Sequence, residues 1–211
     1  MRTSHPAWAE STVGEQFDIQ LGKMLDSSRN MGTTKPYLGN RAVQWRHIDV
    51  SACGLVPMSD SDIRRYRLVK GDLLVCEGGE VGRAAVWQDE LPECYFQKAL
   101  HRLRPKHGYS PNIMLSLLEH WAKSGYFSGQ VSQTSIAHLT RDTLSRLALP
   151  VPTQAEQEVL ADLVDDLHDQ VSALERLIAK KQAVKQGVMQ QLFAENAAIR
   201  PLSSKIGRAH V

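Results

Sequence analysis

Polar side chains that could contact nucleic acid first occur in residues 26–40, a segment rich in Gly, Ser, Asn and Thr. This composition predicts a loop. Lys35, Tyr37 and the following Arg41 combine cationic and aromatic groups that suit contacts with phosphates and bases. An ordinary polar surface loop has the same composition, so the residues alone leave both interpretations open.

A second candidate is the glycine-rich segment 77–83, which separates two predicted strands. Gly78, Gly79 and Gly82 permit positive φ and a close approach of the backbone to another group. The spacing matches neither the phosphate loop GxxxxGK[ST] nor the dinucleotide fingerprint GxGxxG, and the segment leads into a strand. It is therefore either an ordinary hairpin tip or a hairpin tip that faces a DNA backbone.

Catalytic sequence patterns are missing from the chain. It contains no HExxH, no GxSxG, no H-x-E with PCxxC and no [DN]PP[YF]. Cys53, Cys76 and Cys94 are widely spaced and form no CxxC or Cys/His pair, which favours buried thiols over a metal site. We therefore expect a non-catalytic chain without a metal or cofactor of its own.

Short apolar or alternating stretches predict the strands that would position these loops. They are Thr12–Leu25, Ala42–Val50, Leu68–Cys76, Ala84–Gln88, Cys94–Leu103 and the end of Leu139–Leu149. Residues 51–66 are predicted to be irregular and residues 125–137 to form a polar loop. Residues 111–121 predict a helix with proline in its first turn. The fold class predicted is α+β: a domain of short strands with one or two helices, followed by one long, coiled-coil-like C-terminal helix.

The long helix is predicted to begin directly after Pro152. Thr153 and Glu156 have the spacing of a capping box, and no glycine or proline follows until Gly187. At 1.5 Å per residue, a helix over residues 153–195 is roughly 60 Å long. Such a length is typical of a spacer or of a dimerisation helix.

Apolar residues on this helix alternate spacings of four and three, as in a heptad repeat. The predicted seam consists of Leu160, Val164, Leu167, Val171, Leu174, Ile178, Lys181, Lys185, Val188 and Leu192. Leu163, Leu177 and Val184 widen the stripe, which also allows an amphipathic helix that lies on its own domain. The length of the helix favours pairing with another helix.

Charge divides the helix into an acidic first half and a basic second half. The acids are Glu156, Glu158, Asp162, Asp165, Asp166 and Asp169, and the bases are Arg176, Lys180, Lys181 and Lys185. Acids that only matched the helix dipole would concentrate in the first turn. A parallel pair would place acid against acid, so the charges favour an antiparallel partner, although the heptad residues alone allow either orientation.

Composition constrains the function only weakly. Among 211 residues, Lys and Arg exceed Asp and Glu by two, a balance that is compatible with nucleic-acid binding without arguing for it. The sequence has no apolar run long enough to span a membrane and no signal-peptide pattern. We therefore expect a soluble, cytoplasmic protein.

In their order along the chain, these segments resemble the DNA specificity (S) subunit of type I restriction-modification systems. The resemblance covers residues 8–195. It is carried by Val13-Gly14-Glu15, Tyr37, Trp45, Ile48-Asp49, Leu68-x-x-Gly71-Asp72-Leu73-Leu74, Gly78-Gly79-x-x-Gly82, Gln97, Leu149-Pro150-x-Pro152, Glu156-Gln157 and the closing KQGVMQQLF.

This resemblance implies a non-catalytic subunit that acts within a larger complex. A full S subunit resembles two copies of such a unit, each a target recognition domain followed by a spacer helix. The two helices pack antiparallel and set the distance between the half-sites of a split double-stranded DNA target. Methyltransferase (M) subunits bind S-adenosylmethionine and methylate adenine N6, and the restriction (R) subunit joins through them.

The sequence departs from this family pattern because it contains only one copy of the unit. We expect a half-subunit, natural or truncated, that forms an antiparallel homodimer through residues 154–195 and binds a symmetric bipartite site. The alternative is a coiled-coil interaction or decoy protein that sequesters M subunits without specific DNA reading. The segments predicted are a leader (1–11), a target recognition domain (12–152), a spacer and dimerisation helix (153–195) and a flexible tail (196–211).

Candidates for DNA contacts come from side-chain chemistry, because base-reading positions vary with the target in this family. They are Lys35, Tyr37, Asn40, Arg41, Arg46, Arg83, Gln97, Lys98, Gln133, Thr134 and Ser135. Arg, Asn and Gln can form bidentate contacts with base edges, whereas Lys and Ser more often contact phosphate.

Overall fold

The computed structural model describes residues 8–26, 30–127 and 138–203, with side chains described as far as residue 194. The chain divides into two compact units, residues 1–164 and 165–211. Short strands in several sheets precede one long C-terminal helix, which confirms the predicted α+β class. Within the described ranges, no helix has the length and apolar character needed to cross a membrane.

A four-stranded antiparallel sheet forms the centre of the first unit. Its strands, in spatial order, are β2 (Phe17–Leu21), β10 (Leu100–Pro105), β7 (Leu73–Cys76) and β8 (Ala84–Val86). Successive side chains of a strand point to opposite faces, so β7 sends Leu73 and Val75 into one hydrophobic cluster and Leu74 and Cys76 into another. Both faces of the sheet are therefore covered.

A three-stranded sheet departs from the sequence prediction. Its strands are β6 (Gly54–Met58), β3 (Thr33–Leu38) and β9 (Tyr95–Phe96). The loop prediction for residues 26–40 is wrong at β3. The prediction of irregular structure over residues 51–66 is wrong at β6 and at helix α2 (Asp60–Tyr66).

Non-local pairing explains the missed strand β3. Its partner β6 is distant in sequence, and strand formation depends on such neighbours more than on local propensity. Pro36 is tolerated because β9 pairs only with Tyr37 and Leu38, which leaves the proline at an edge on that side.

Two predicted strands are each interrupted by a turn. Residues 42–50 form a hairpin of β4 (Val43–Gln44) and β5 (His47–Ile48), with Arg46 at φ 60° in its turn. Residues 94–103 are broken between β9 and β10, where Ala99 has φ 86°. The single-strand predictions are therefore wrong, and Gln97 and Lys98 lie in a turn rather than in the middle of a strand.

Shorter helices and a two-stranded sheet surround the core of the first unit. Helix α3 (Pro111–Lys123) confirms the prediction of a helix that begins with proline, and the short helices α1 (Val13–Gln16) and α4 (Arg141–Arg146) flank the core. Strand β1 (Ala9–Thr12) pairs antiparallel with β11 (Ala148–Val151), so residues 9–11 of the predicted leader belong to a sheet.

Helix α5 (Gln154–Ser203) begins at the predicted capping box. The Thr153 amide and hydroxyl both donate to Glu156 Oε2 at 2.8 Å, and the Glu156 amide donates to Thr153 Oγ1 at 3.4 Å. The helix continues to Ser203, into the segment that was predicted to be a flexible tail.

Candidate nucleic-acid interface

The glycine loop, residues 77–83, is a tight connection between β7 and β8. Gly79 and Gly82 have φ values of 79° and 82°, which side chains other than glycine rarely adopt. A Cβ atom on Gly82 would lie 2.4 Å from the Phe127 ring, and one on Gly78 would lie 3.0 Å from His138 Nδ1. Glycine is therefore needed both for the turn and for close packing on either side of it.

Residues 39–46 pack against this loop. Asn40 Nδ2 donates to the Gly78 carbonyl at 2.8 Å, and Arg83 Nη2 donates to the Asn40 carbonyl at 2.9 Å. Trp45 Nε1 donates to Glu80 Oε1 at 2.5 Å. Two segments that are distant in sequence are thus joined by hydrogen bonds that orient Asn40 and Arg83.

The turn after β9 reaches the same place. The Gln97 amide donates to the Leu38 carbonyl at 3.0 Å, and a Cβ atom on Gly39 would lie 2.5 Å from Gln97 Nε2. Asn40 and Arg83 therefore contact each other directly, and Gln97 lies against Gly39, the residue before Asn40. We call Asn40, Arg83 and Gln97 the convergent group.

The convergent group retains hydrogen-bonding capacity. Asn40 Oδ1 and Arg83 Nε are buried and have no hydrogen-bond partner within the described part of the chain. Buried polar atoms are usually paired, so these two atoms mark a place where an outside group could bind. Nearby, burial raises the pKa of the Cys76 thiol to about 11, so this cysteine stays neutral and is not a nucleophile.

Arg41 and Lys98 are exposed beside the convergent group. Neither side chain forms an ion pair or hydrogen bond with any other described residue. Exposed, unpaired cations next to an amide such as Gln97 can contact phosphate while the amide contacts a base edge.

Other candidates form contacts within the domain. Lys35 Nζ lies 2.7 Å from Glu93 Oε2, and hydrogen bonds from Lys35 and Tyr95 lower the pKa of that carboxyl. The Tyr37 ring covers Gly54, where a Cβ atom would lie 2.5 Å away. Both residues belong to β3, and their contacts stabilise the three-stranded sheet.

Arg46 is held against helix α3. Its Nε atom lies 2.9 Å from Glu119 Oε2, and its Nη2 atom donates to Ser116 Oγ at 2.7 Å. Burial opposes ionisation of Glu119, but hydrogen bonds from Lys123 and Arg46 hold its pKa below the ordinary value. Arg46 is therefore engaged in tertiary contacts. Gln133, Thr134 and Ser135 lie outside the described residues.

Sequence reasoning missed a basic stretch that begins in the last turn of helix α2 and continues beyond it. Arg64, Arg65, Arg67 and Lys70 are all exposed. The sequence signal was four cations within seven residues, and it was overlooked because residues 51–66 were predicted to be irregular. Across the described ranges, no group of three or more His, Cys, Asp or Glu side chains is arranged to hold a metal ion.

The seam of α5 is mostly exposed. Leu160 packs against the core of the first unit, whereas Leu167, Val171, Leu174 and Ile178 are each exposed by half or more. Lys181 and Lys185 are also exposed, and Val188 and Leu192 continue the apolar positions towards the C-terminus.

Curated relatives of this chain are specificity subunits. The chain is 27% identical over 201 residues to the type I restriction enzyme MjaX specificity subunit assigned in Methanocaldococcus jannaschii, covering 87% of this chain and 47% of that one. It is 31% identical over 98 residues to the type I restriction enzyme StySPI specificity subunit of Salmonella potsdam, covering 44% of this chain and 20% of the relative. The chain thus spans about half the length, or less, of the curated relatives it matches.

Solved structures share the fold. A chain from a structure of a type I R-M system has a TM-score of 0.66 at 22% identity, over 87% of this chain and 44% of that chain. The HsdS subunit from Thermoanaerobacter tengcongensis has a TM-score of 0.62 at 22% identity, over 83% and 41%. The family model for the type I restriction modification DNA specificity domain matches residues 6–186. This chain therefore belongs to the type I restriction modification DNA specificity domain family.

Proposed function

We propose that this chain binds double-stranded DNA sequence-specifically and directs adenine-methylating M subunits, and an R subunit through them, to a bipartite target. Two copies pair antiparallel through α5, and each globular unit reads one half of a symmetric site. The chain has no catalytic role of its own, and S-adenosylmethionine binds only in the M subunit. One observation carries the proposal. The chain belongs to a DNA specificity domain family, and it continues into a long helix whose apolar heptad seam is exposed.

Apolar exposure supports pairing of the helix. Leu174 and Ile178 are 59% and 55% exposed, although a helix of a globular protein normally buries its apolar face. A partner that covered this seam would remove apolar surface from water at roughly 25 cal/mol per Å². A second copy of the same helix presents a matching seam.

An antiparallel register satisfies both the seam and the charges. If the crossing lies between Ser172 and Ala173, Val171 meets Leu174 of the other copy and Leu167 meets Ile178. The same register places the acidic half of each helix alongside the basic half of its partner. A parallel arrangement would instead place the acidic halves against each other.

The convergent group supports DNA reading by the globular unit. The side-chain amide of Gln97 is partly exposed and flanked by the exposed Lys98. In the proposal, Gln97 contacts a base edge and Arg41 and Lys98 contact phosphate, while Asn40 and Arg83 hold the glycine loop in position. Gln97→Ala should then weaken binding to the target more than binding to random-sequence DNA, whereas Lys98→Ala should weaken both equally.

Two experiments test the proposal. Co-expression with a candidate M subunit, followed by mapping of methylated adenines, should yield a symmetric bipartite motif. Light scattering or sedimentation of the chain alone should give twice the monomer mass at micromolar concentration. A clean monomer would remove the homodimer, and M-subunit binding without sequence-specific DNA binding would favour the decoy alternative.

A further inference from the structure

The basic stretch Arg64–Lys70 differs from the other cations of the globular unit. Most of those are paired, for example Lys23 with Asp62 at 2.9 Å and Arg104 with Asp72 at 2.7 Å. Within the described ranges, no cation of the basic stretch forms an ion pair, and no acidic residue interrupts the sequence from Ile63 to Gly71. Among the described residues, four exposed positive charges therefore lie close together in sequence without a direct ion pair, and Arg67 alone is near enough to a carboxyl, that of Glu93, to help lower its pKa.

The fold holds this stretch next to the turn that carries Gln97 and Lys98. Lys23 Nζ donates to the carboxylate of Asp62 in helix α2. The backbone of Lys23 contacts the turn: its carbonyl accepts from the Lys98 amide at 2.7 Å, and its amide donates to the Phe96 carbonyl at 3.0 Å. Lys23 thus ties helix α2 to the turn.

Further contacts fix the backbone of the stretch. Arg67 forms an antiparallel bridge with Tyr95, and the Leu68 amide donates to the Cys94 carbonyl at 3.0 Å. The Tyr66 ring packs edge-on against Phe96 at 5.9 Å, and the Arg65 guanidinium lies 5.3 Å from the centroid of the Tyr66 ring. The cations therefore project from a frame that is shared with β9 and with the proposed base-reading turn.

The chemistry of the stretch favours a polyanion over a protein partner. Protein interfaces usually have an apolar centre from which charged residues are depleted. The basic stretch has the opposite composition: it contains four exposed cations, and its exposed large apolar side chain is Val69, at 44% exposure. Lys and Arg side chains in such a row match the spaced phosphates of a nucleic-acid backbone.

We propose that Arg64, Arg65, Arg67 and Lys70 form a clamp on the sugar–phosphate backbone of DNA, adjoining the convergent group. This inference rests on the proposed DNA-binding function and adds to it a contact surface without sequence preference. Its role is to fix the position of the globular unit on the duplex, so that the turn at Gln97 and Lys98 faces the base edges.

The test compares two double variants that each remove two exposed positive charges. One is Arg64→Gln/Arg65→Gln, and the matched control is Lys123→Gln/Arg146→Gln, which changes cations on helices α3 and α4. Binding to a random-sequence duplex and to a duplex carrying the methylated motif is measured over a range of salt concentrations. Thermal unfolding of each variant verifies that the domain remains folded.

We expect the Arg64/Arg65 variant to bind both duplexes roughly tenfold more weakly and to lose about two units from the slope of log affinity against log salt. The control should keep the wild-type slope. Arg64→Lys/Arg65→Lys should also keep it, because the charge is conserved. Arg67→Gln/Lys70→Gln should repeat the loss.

Three outcomes would overturn the clamp. In the first, wild-type protein binds its target but the Gln variants keep the wild-type slope, which leaves the proposed function intact. In the second, the Gln variants lose M-subunit binding and keep DNA affinity, which assigns the stretch to a protein interface. In the third, wild-type protein with M subunit binds neither duplex, and the proposed function fails together with the clamp.

Discussion

The globular unit and the helix of the second unit use their side chains in opposite ways. In the globular unit, most large apolar residues are buried, and charged residues such as Lys35 and Arg46 are paired within the domain. In the helix, Leu174 and Ile178 remain exposed, and acids and bases are separated along its length. A folded domain buries most of its own apolar side chains, so a helix that leaves most of an apolar seam exposed points to a partner.

The largest expected effect therefore comes from the seam. Leu167→Asp/Leu174→Asp places carboxylates where the proposed dimer buries apolar side chains, and each substitution occurs twice in a symmetric dimer. We expect at least about 1,000-fold weaker dimerisation, measured by sedimentation, because unpaired buried charge is costly. The melting temperature of the globular unit should not change.

The matched control for the seam is Ala173→Asp/Ala183→Asp. These residues are exposed and lie outside the heptad seam. The control adds the same charge to the same helix, so it should retain the dimer. Equal loss of dimer in both proteins would mean that added charge, rather than its position on the seam, weakens dimerisation. The seam would then not be the dimer interface.

The second prediction concerns an ion pair inside the globular unit. Asp72 is fully buried and accepts from Arg104 Nε at 2.7 Å and from Nη2 at 2.8 Å. Arg104→Met would leave that carboxylate buried without its cation, and we expect a loss of about 3 kcal/mol in the free energy of unfolding. Denaturant titration measures it, and dimerisation of the folded protein should be unaffected.

An exposed pair provides the comparison for Arg104. Lys123 pairs with Glu119 at 2.8 Å, but its side chain is 73% exposed. Lys123→Met should therefore cost less than about 1 kcal/mol. Similar costs for the two substitutions would mean that burial does not control the strength of ion pairs in this domain.

The third prediction tests the glycine loop. Gly82→Ala requires alanine at φ 82° and displaces the Phe127 ring, so we expect a loss of roughly 2 kcal/mol in stability. Gly71 has φ 90°, and no atom of the described residues lies within 4 Å of the place that a Cβ atom would occupy, so Gly71→Ala should cost about 1 kcal/mol. Denaturant titration of both variants measures the two losses, and their difference isolates the contact with Phe127. Equal losses would show that only backbone strain matters.

Local patterns predicted the elements that depend on local interactions. The capping box at Thr153, the proline at the start of α3 and the glycine hairpin after β7 are each visible within a few residues of sequence. Strand β3 depends on pairing with β6, and no periodicity within residues 33–38 reveals that partner.

The candidate site was predicted only in part, for a related reason. Residue type selected side chains that can contact DNA, but it could not reveal that Arg46 meets Glu119 or that Lys35 meets Glu93. Those acids are distant in sequence, and only the tertiary fold brings them close. The basic stretch at Arg64–Lys70 was visible in the sequence, and its exposure became clear only from helix α2 and the bridge at Arg67.

The smallest expected effect is a pH dependence confined to the globular unit. His101 is buried, its Nε2 lies 3.0 Å from the Leu139 carbonyl, and burial lowers its pKa below the ordinary value of 6.5. The unfolded chain then binds a proton more readily than the folded chain does, so stability falls as pH drops below about 6.5. Glu77 favours the charged form and Arg141 opposes it, but burial dominates.

His101→Gln should flatten the fall in stability below pH 6.5, measured by denaturant titration at each pH. Carboxyls with lowered pKa, such as Asp62 and Glu119, lose their contribution only at lower pH, because their ordinary values are 3.8 and 4.5. The seam residues of the helix include no histidine. A slope that persisted in His101→Gln would place the pH-sensitive group elsewhere and remove this contrast between the two units.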